Sequence, residues 1–138
     1  MRGEDVSYLV PSTDDAFPGE RSPKMADDAA RVATTYFDAW KVNDFDTMRS
    51  LVDDDFMFSG PLARLEGAEN YMEGIKGMSQ IKSDIVIRKV FVDGPDVLTW
   101  FDLHTTVASP VPVANWLHVE GGRITSLQVA FDARELAP

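Results

Sequence analysis

Val97-Leu98-Thr99-Trp100-Phe101-Asp102-Leu103-His104-Thr105-Thr106-Val107 reads with a period of two, and that period decides the fold. Successive side chains of a strand point to opposite faces, so Phe101 and Leu103 share one face while Trp100, Asp102 and His104 share the other. The same period runs through Asp84 to Val92, Val113 to Glu120 and Arg123 to Phe131. Asp93-Gly94-Pro95-Asp96 and Glu120-Gly121-Gly122 carry turn residues, and Ser109-Pro110-Val111-Pro112 is a stiffer connection. Four strands joined in this way form an antiparallel meander.

Upstream the period becomes helical. Asp27 or Asp28 is placed to cap a helix whose apolar positions Ala29, Val32, Ala33, Tyr36, Phe37 and Trp40 fall three and four apart. Asn43-Asp44 ends it, and Asp46 is placed to cap a short second helix presenting Met48, Leu51 and Val52. The acidic triplet Asp53 to Asp55 reads as a solvated helix end and turn. Phe56-Met57-Phe58-Ser59 reads as a short strand stopped by Gly60-Pro61. A third helix is expected after Gly67, with Ala68, Tyr71, Met72, Ile75 and Met78 on one face. Residues 1–24 hold three prolines and five acidic residues without apolar periodicity, so they are expected to be a flexible N-terminal extension of a domain spanning 25–138. The predicted architecture is α+β: a cone-shaped, curved antiparallel sheet wrapped over three helices from the N-terminal half, with a mouth.

A chain of 138 residues with 44% hydrophobic and 10% aromatic residues has material for one core and no room for a second domain. Its net charge of −10 opposes nucleic acid and anionic membrane surfaces, and the 13 Lys and Arg form no basic patch. The absence of cysteine excludes disulfides, thiolate metal sites and a cysteine nucleophile. His104 and His118 alone do not make a histidine-rich metal cage. No metal or cofactor is expected, no apolar run approaches a membrane span, and a cytoplasmic location is expected.

Tyr36-Phe37-Asp38-Ala39-Trp40-Lys41-Val42-Asn43-Asp44-Phe45-Asp46 and Gly121-Gly122-Arg123-Ile124-Thr125-Ser126-Leu127-Gln128-Val129-Ala130-Phe131-Asp132, in that order, resemble the nuclear-transport-factor-2-like superfamily of SnoaL-like and ketosteroid-isomerase-like proteins. The first segment resembles the helix and corner of those proteins, the second their last hairpin. The resemblance implies a cystatin-like α+β barrel enclosing an apolar pocket, and a homodimer. It leaves function open, since this superfold hosts isomerases, cyclases, epoxide hydrolases, dehydratases and binders.

In ketosteroid isomerases a helix tyrosine and a protonated strand aspartate donate hydrogen bonds to a dienolate oxygen, and a carboxylate near the first strand moves the proton. The resemblance puts Tyr36 at the tyrosine and Asn115 at the donating aspartate, where an amide can also donate. The base position is Gly60, before Pro61. The limonene-epoxide-hydrolase pattern fares worse: its arginine, flanking aspartate and last-strand aspartate fall on Phe101, Leu103 and Val129. Val129 also stands where SnoaL-like cyclases carry an aspartate and phenazine-pathway relatives a glutamate.

One polar cluster remains, Asp102 with His104. If Trp100, Asp102 and His104 line the pocket, Asp102 replaces the missing base and His104 orients or polarises it. If Phe101 and Leu103 line it, both polar residues lie on the outer face, and a one-residue shift at Pro110 and Pro112 decides between these. The leading expectation is a pocket for a small hydrophobic carbonyl-bearing or polycyclic molecule, with Tyr36 and Asn115 on its oxygen. Trp40, Met57, Ser59, Tyr71, Phe101, Leu127, Val129 and Phe131 are the expected ligand contacts. Cofactor-free isomerisation or cyclisation through an enolate is the catalytic form of this reading; a non-catalytic binder or dimeric scaffold is the alternative.

Overall fold

The computed structural model describes residues 23–136. Most of the expected extension therefore lies outside the described residues. Helix α1 (Pro23–Lys41) buries Ala29, Val32, Ala33, Tyr36, Phe37 and Trp40 along one stripe, because residues three and four apart share a helix face. It begins ahead of Asp27 and Asp28, which lie inside it rather than capping it. Proline suits that start, since an N–H in the first turn has no intrahelical partner to lose. The helix ends in a Schellman motif. Asn43 adopts a left-handed φ of 60°; its N–H reaches the Trp40 carbonyl at 3.1 Å and the Asp44 N–H reaches the Ala39 carbonyl at 2.8 Å. Asp44, not Asp46, then caps helix α2 (Phe45–Leu51) by accepting from the Thr47 N–H at 3.2 Å. Two adjacent residues thus end one helix and start the next.

Strand β1 (Val52–Ser59) follows without a turn. Asp53, Asp54 and Asp55 belong to it, contrary to their reading as a helix end. An irregularity between Val52 and Met57 accommodates them, leaving Asp54 and Asp55 exposed between buried Val52 and Phe56. Residues 60–63 turn the chain into β2 (Arg64–Glu66), and helix α3 (Ala68–Ser79) buries Ala68, Tyr71 and Met72. The meander is β3 (Lys82–Asp93), β4 (Asp96–Thr105), β5 (Val111–Glu120) and β6 (Arg123–Ala130). Gly121 and Gly122 join β5 to β6 with φ of 60° and 78°, the positive values that a two-residue hairpin turn requires.

The six strands form one sheet in the order β2-β1-β6-β5-β4-β3, open because β2 and β3 are edges. Every pairing is antiparallel except β1 with β6, which is parallel. The sheet is therefore mixed rather than wholly antiparallel, in an otherwise expected α+β cone. Its inner face carries Val97, Phe101 and Leu103 of β4, Val111, Val113 and Leu117 of β5, and Ile124 and Leu127 of β6, all buried in one cluster with the α1 and α3 stripes. Among the described residues no helix is long and apolar enough to cross a membrane.

Candidate functional site

A cavity of about 180 Å³ lies between α1, α3, the β1–β2 turn and the inner face of β4 to β6. Helix α1 contributes Tyr36 and Trp40; α3 contributes Tyr71, Gly74, Ile75 and Met78. Phe58, residues 60–63 and Leu65 close one side, and Phe101, Leu103, Val113, Asn115, Leu127, Val129 and Phe131 form the sheet wall. The lining holds no Asp, Glu, Lys, Arg or His.

Three polar groups interrupt this apolar surface. The Tyr36 and Tyr71 hydroxyls, carried by facing helices, form a short buried hydrogen bond to each other. Burial pushes the pKa of both phenols upward, the Tyr71 hydrogen bond offsetting part of the rise at Tyr36 and the neighbouring Tyr36 adding to it at Tyr71. Both stay protonated across the physiological range. Aromatic contacts hold the rings: Tyr36 meets Phe37 edge-on at 5.2 Å, and Tyr71 sits 4.7 Å from Phe56 and 5.4 Å from Phe58. Trp40 is tied down separately, its indole N–H donating to Ser79 Oγ at 3.0 Å while that hydroxyl donates to the Ile75 carbonyl at 2.6 Å. Asn115 is the third polar group. It is 2% exposed, lies across from Thr99 and Val129 on the neighbouring strands, and its Oδ1 has no hydrogen-bond partner.

Among the residues read from sequence as candidates, Tyr36, Trp40, Tyr71, Phe101, Asn115, Leu127, Val129 and Phe131 meet around this cavity. Asp102 and His104 do not. In the β4–β5 register Phe101 faces Val113 and Asp102 faces Pro112, so the apolar pair turns inward and the carboxylate outward. There Asp102 accepts from Arg88, through Nε at 2.8 Å and through a second guanidinium nitrogen. The inward placement that would make Asp102 a base and His104 its partner is corrected accordingly: burying an Asp and a His in a wall otherwise apolar costs more than burying Phe and Leu. Met57 and Ser59 are likewise corrected. They alternate with Phe56 and Phe58 along β1, and it is the two phenylalanines that turn inward, leaving Met57 40% exposed.

The sequence reading had not assigned ligand contact to Phe58, Leu65, Ile75, Met78, Leu103, Val113 or the 60–63 turn. The usable signal was alternation, since Leu103 shares a face with Phe101 and Phe58 with Phe56. Position 60 has a physical reason to be glycine: a Cβ there would stand 2.7 Å from Val129 Cγ2 and 3.1 Å from Phe58 Cζ. The positions where the resembled families carry a base and an acid are here in contact, one without a side chain and the other apolar.

The outer face has a different character. His118, at one end of it, is held between Asp96, 2.7 Å from Nδ1, and Glu120, 2.9 Å from Nε2. Asp96 also accepts from the Trp116 indole at 2.9 Å. The hydrogen bond to Asp96 raises the His118 pKa, partial burial opposes it, and Glu120 adds to the rise. Trp100 and Trp116 nevertheless remain 44% and 45% exposed. Among the described residues no group of three His, Asp or Glu is arranged to hold a metal ion.

Solved structures with this fold are numerous. A protein from Kribbella flavida DSM 17836 is 29% identical with a TM-score of 0.73, covering 77% of this chain and 88% of its own. An NTF2-like protein of unknown function from Cytophaga hutchinsonii ATCC 33406 is 29% identical with a TM-score of 0.70, covering 78% and 93%. An LEH-like epoxide hydrolase of M. tuberculosis is 23% identical with a TM-score of 0.69, covering 80% and 86%, a likeness of fold alone. No curated protein matches the chain. The family model of the SnoaL-like domain matches residues 33–127, from the middle of α1 into β6 and so across most of the cavity wall; the chain belongs to the SnoaL-like domain family.

Proposed function

We propose that this protein binds one small, neutral, largely apolar molecule in the cavity. The observation that carries the reading is the lining: aliphatic and aromatic side chains, two tyrosine hydroxyls and one amide, with no carboxylate, amine, guanidinium or imidazole. Ligand sites commonly combine an apolar concavity with a few placed polar groups. An apolar cavity of about 150 Å³ takes a benzene ring, so a volume of about 180 Å³ suits a single substituted ring better than a polycyclic compound. Proton transfer in an isomerisation or cyclisation needs a base within hydrogen-bond reach or one water away. With Asp102 on the outer face and both tyrosines kept neutral, the cavity supplies no such group, and binding is favoured over the enolate chemistry.

A thermal-shift screen tests this. Neutral single-ring compounds should raise the unfolding temperature, a ligand at one hundred times its Kd contributing about 2.7 kcal/mol by mass action. Four-ring ketones should not. The absence of any shift with neutral ring compounds would remove the reading.

For the outer face the partner we propose is a second copy of the chain. Phe91, Leu98 and Trp116 lie in one row across β3, β4 and β5, with Trp100 in the next row, and all four are exposed. A contiguous apolar surface of this kind favours association. Sedimentation equilibrium should give a dimer, and Trp100→Glu a monomer; a monomeric wild type at micromolar concentration would contradict this.

A further inference from the structure

Among the described residues one buried side-chain polar atom has no hydrogen-bond partner, Asn115 Oδ1. It belongs to a side chain 2% exposed, midway along β5, in the sheet wall of the cavity. A buried carbonyl without a donor bears the full cost of leaving water, whereas an aliphatic side chain of similar volume would bear none. The strand neighbours do not satisfy it: Thr99, the buried polar residue directly across on β4, gives Oδ1 no hydrogen bond, while Val129 on β6 and the inner-face residues two positions away along β5, Val113 and Leu117, are apolar. The other polar groups of the lining are already engaged, Tyr36 with Tyr71 and Trp40 with Ser79.

We infer that the molecule held in this cavity carries a hydrogen-bond donor, a hydroxyl or an N–H, and gives it to Asn115 Oδ1. This deepens the binding reading above and rests on it. The tyrosine pair sharpens the selection. One hydroxyl of the pair donates to the other, so a single phenolic proton is left to offer outward. A ligand hydroxyl can donate to Asn115 and still accept from a tyrosine, while a ketone or an ether can only accept and leaves Oδ1 unpaired. A carboxylate is disfavoured, because nothing in the lining carries a positive charge. The class is therefore a neutral single-ring phenol, alcohol or lactam. Such a preference has the opposite polarity to the role implied by the family resemblance, in which this position donates to a developing oxyanion.

Isothermal titration of the full chain with four probes of one shape tests it: 4-isopropylphenol, 4-isopropylanisole, 4-isopropylcyclohexanone and isopropylbenzene. The phenol should bind about tenfold or more tighter than the other three, since only it satisfies the amide carbonyl. In Asn115→Leu the phenol should fall to within about threefold of isopropylbenzene while isopropylbenzene itself is held as well as before, and the ligand-free variant should unfold at a higher temperature than the wild type. If the ketone or the anisole matches or exceeds the phenol in the wild type, the inference is overturned while the pocket stands. If all four, isopropylbenzene included, fail to bind, the pocket reading itself is lost and this inference with it. The wild-type series decides the matter even where Asn115→Leu does not fold.

Discussion

The two faces of strand β4 are built from adjacent residues and behave as different materials. Inward, Val97, Thr99, Phe101 and Leu103 are buried against α1 and the cavity. Outward, Leu98, Trp100, Asp102 and His104 meet solvent, and the charge at Asp102 is answered by Arg88. The inner face leaves its one amide carbonyl unpaired in a charge-free wall, whereas the outer face pairs its charges and leaves tryptophan uncovered. The difference is what the two proposals rest on: a small neutral molecule inside and a second copy of the chain outside.

The comparison breaks most visibly on a neighbouring pair. Phe101→Ala should cost about 3–5 kcal/mol in denaturant unfolding, because it empties a ring that packs on Phe37 at 5.3 Å and Trp40 at 6.0 Å. Asp102→Asn, one residue along, should cost less, at most about 2 kcal/mol, because the amide fills the same space, can still accept from Arg88, and leaves a guanidinium that is itself mostly exposed. Equal losses would mean that β4 does not divide in this way.

Gly60 and Val129 give the next largest effect. Gly60→Ala should destabilise by about 1–3 kcal/mol, since the added methyl meets Val129 Cγ2. Combining it with Val129→Ala should recover part of that loss, a coupling that additive effects would rule out.

The tyrosine pair sharpens the inner-face description. The chain has three tyrosines, and Tyr36 and Tyr71 have raised pKa values because they are buried. A phenol whose folded pKa exceeds its unfolded value of about 10 stabilises the fold below that pH, and the contribution is lost as pH rises further. Phenolate absorbance from Tyr36 and Tyr71 should therefore appear together with unfolding, and separately resolved titration in the folded state would contradict the buried pair.

The smallest effect lies outside, at His118. Its pKa is raised, first by Asp96, so its contribution is present below about pH 6.5 and fades as pH climbs through the raised value. Relative to the wild type, His118→Gln should be slightly less stable at pH 6 and equal to it at pH 9, as read by unfolding midpoints.

Much of this arrangement was legible in the sequence because it is periodic. The α1 stripe from Ala29 to Trp40, the α3 stripe from Ala68 to Met78 and the four meander strands follow from spacing alone. The parts that escaped are short or non-local. Strand β2 has three residues, too few to show a period, and the parallel pairing of β1 with β6 joins segments about seventy residues apart. Helix α1 extends ahead of the expected caps Asp27 and Asp28, and α2 is capped by Asp44 rather than Asp46, two acidic residues that local rules favour equally. The direction of β4 was undecidable from Trp100 and Phe101, both large and apolar; the register through Pro112 settles it, with Phe101 opposite Val113. The family resemblance put Tyr36 and Asn115 at the pocket, yet the partner of Tyr36 across the helices and the lack of one for Asn115 Oδ1 depend on tertiary packing that no local pattern encodes.

The central claim is that this cavity works without an acid or a base. It is tested most directly by the affinity of 4-isopropylphenol measured calorimetrically from pH 5 to pH 8 on the wild type and on Asp102→Asn. With no carboxylate or imidazole in the lining, the account predicts one Kd throughout that range and the same Kd for the variant. A sigmoid or bell-shaped dependence that disappears in Asp102→Asn would contradict it.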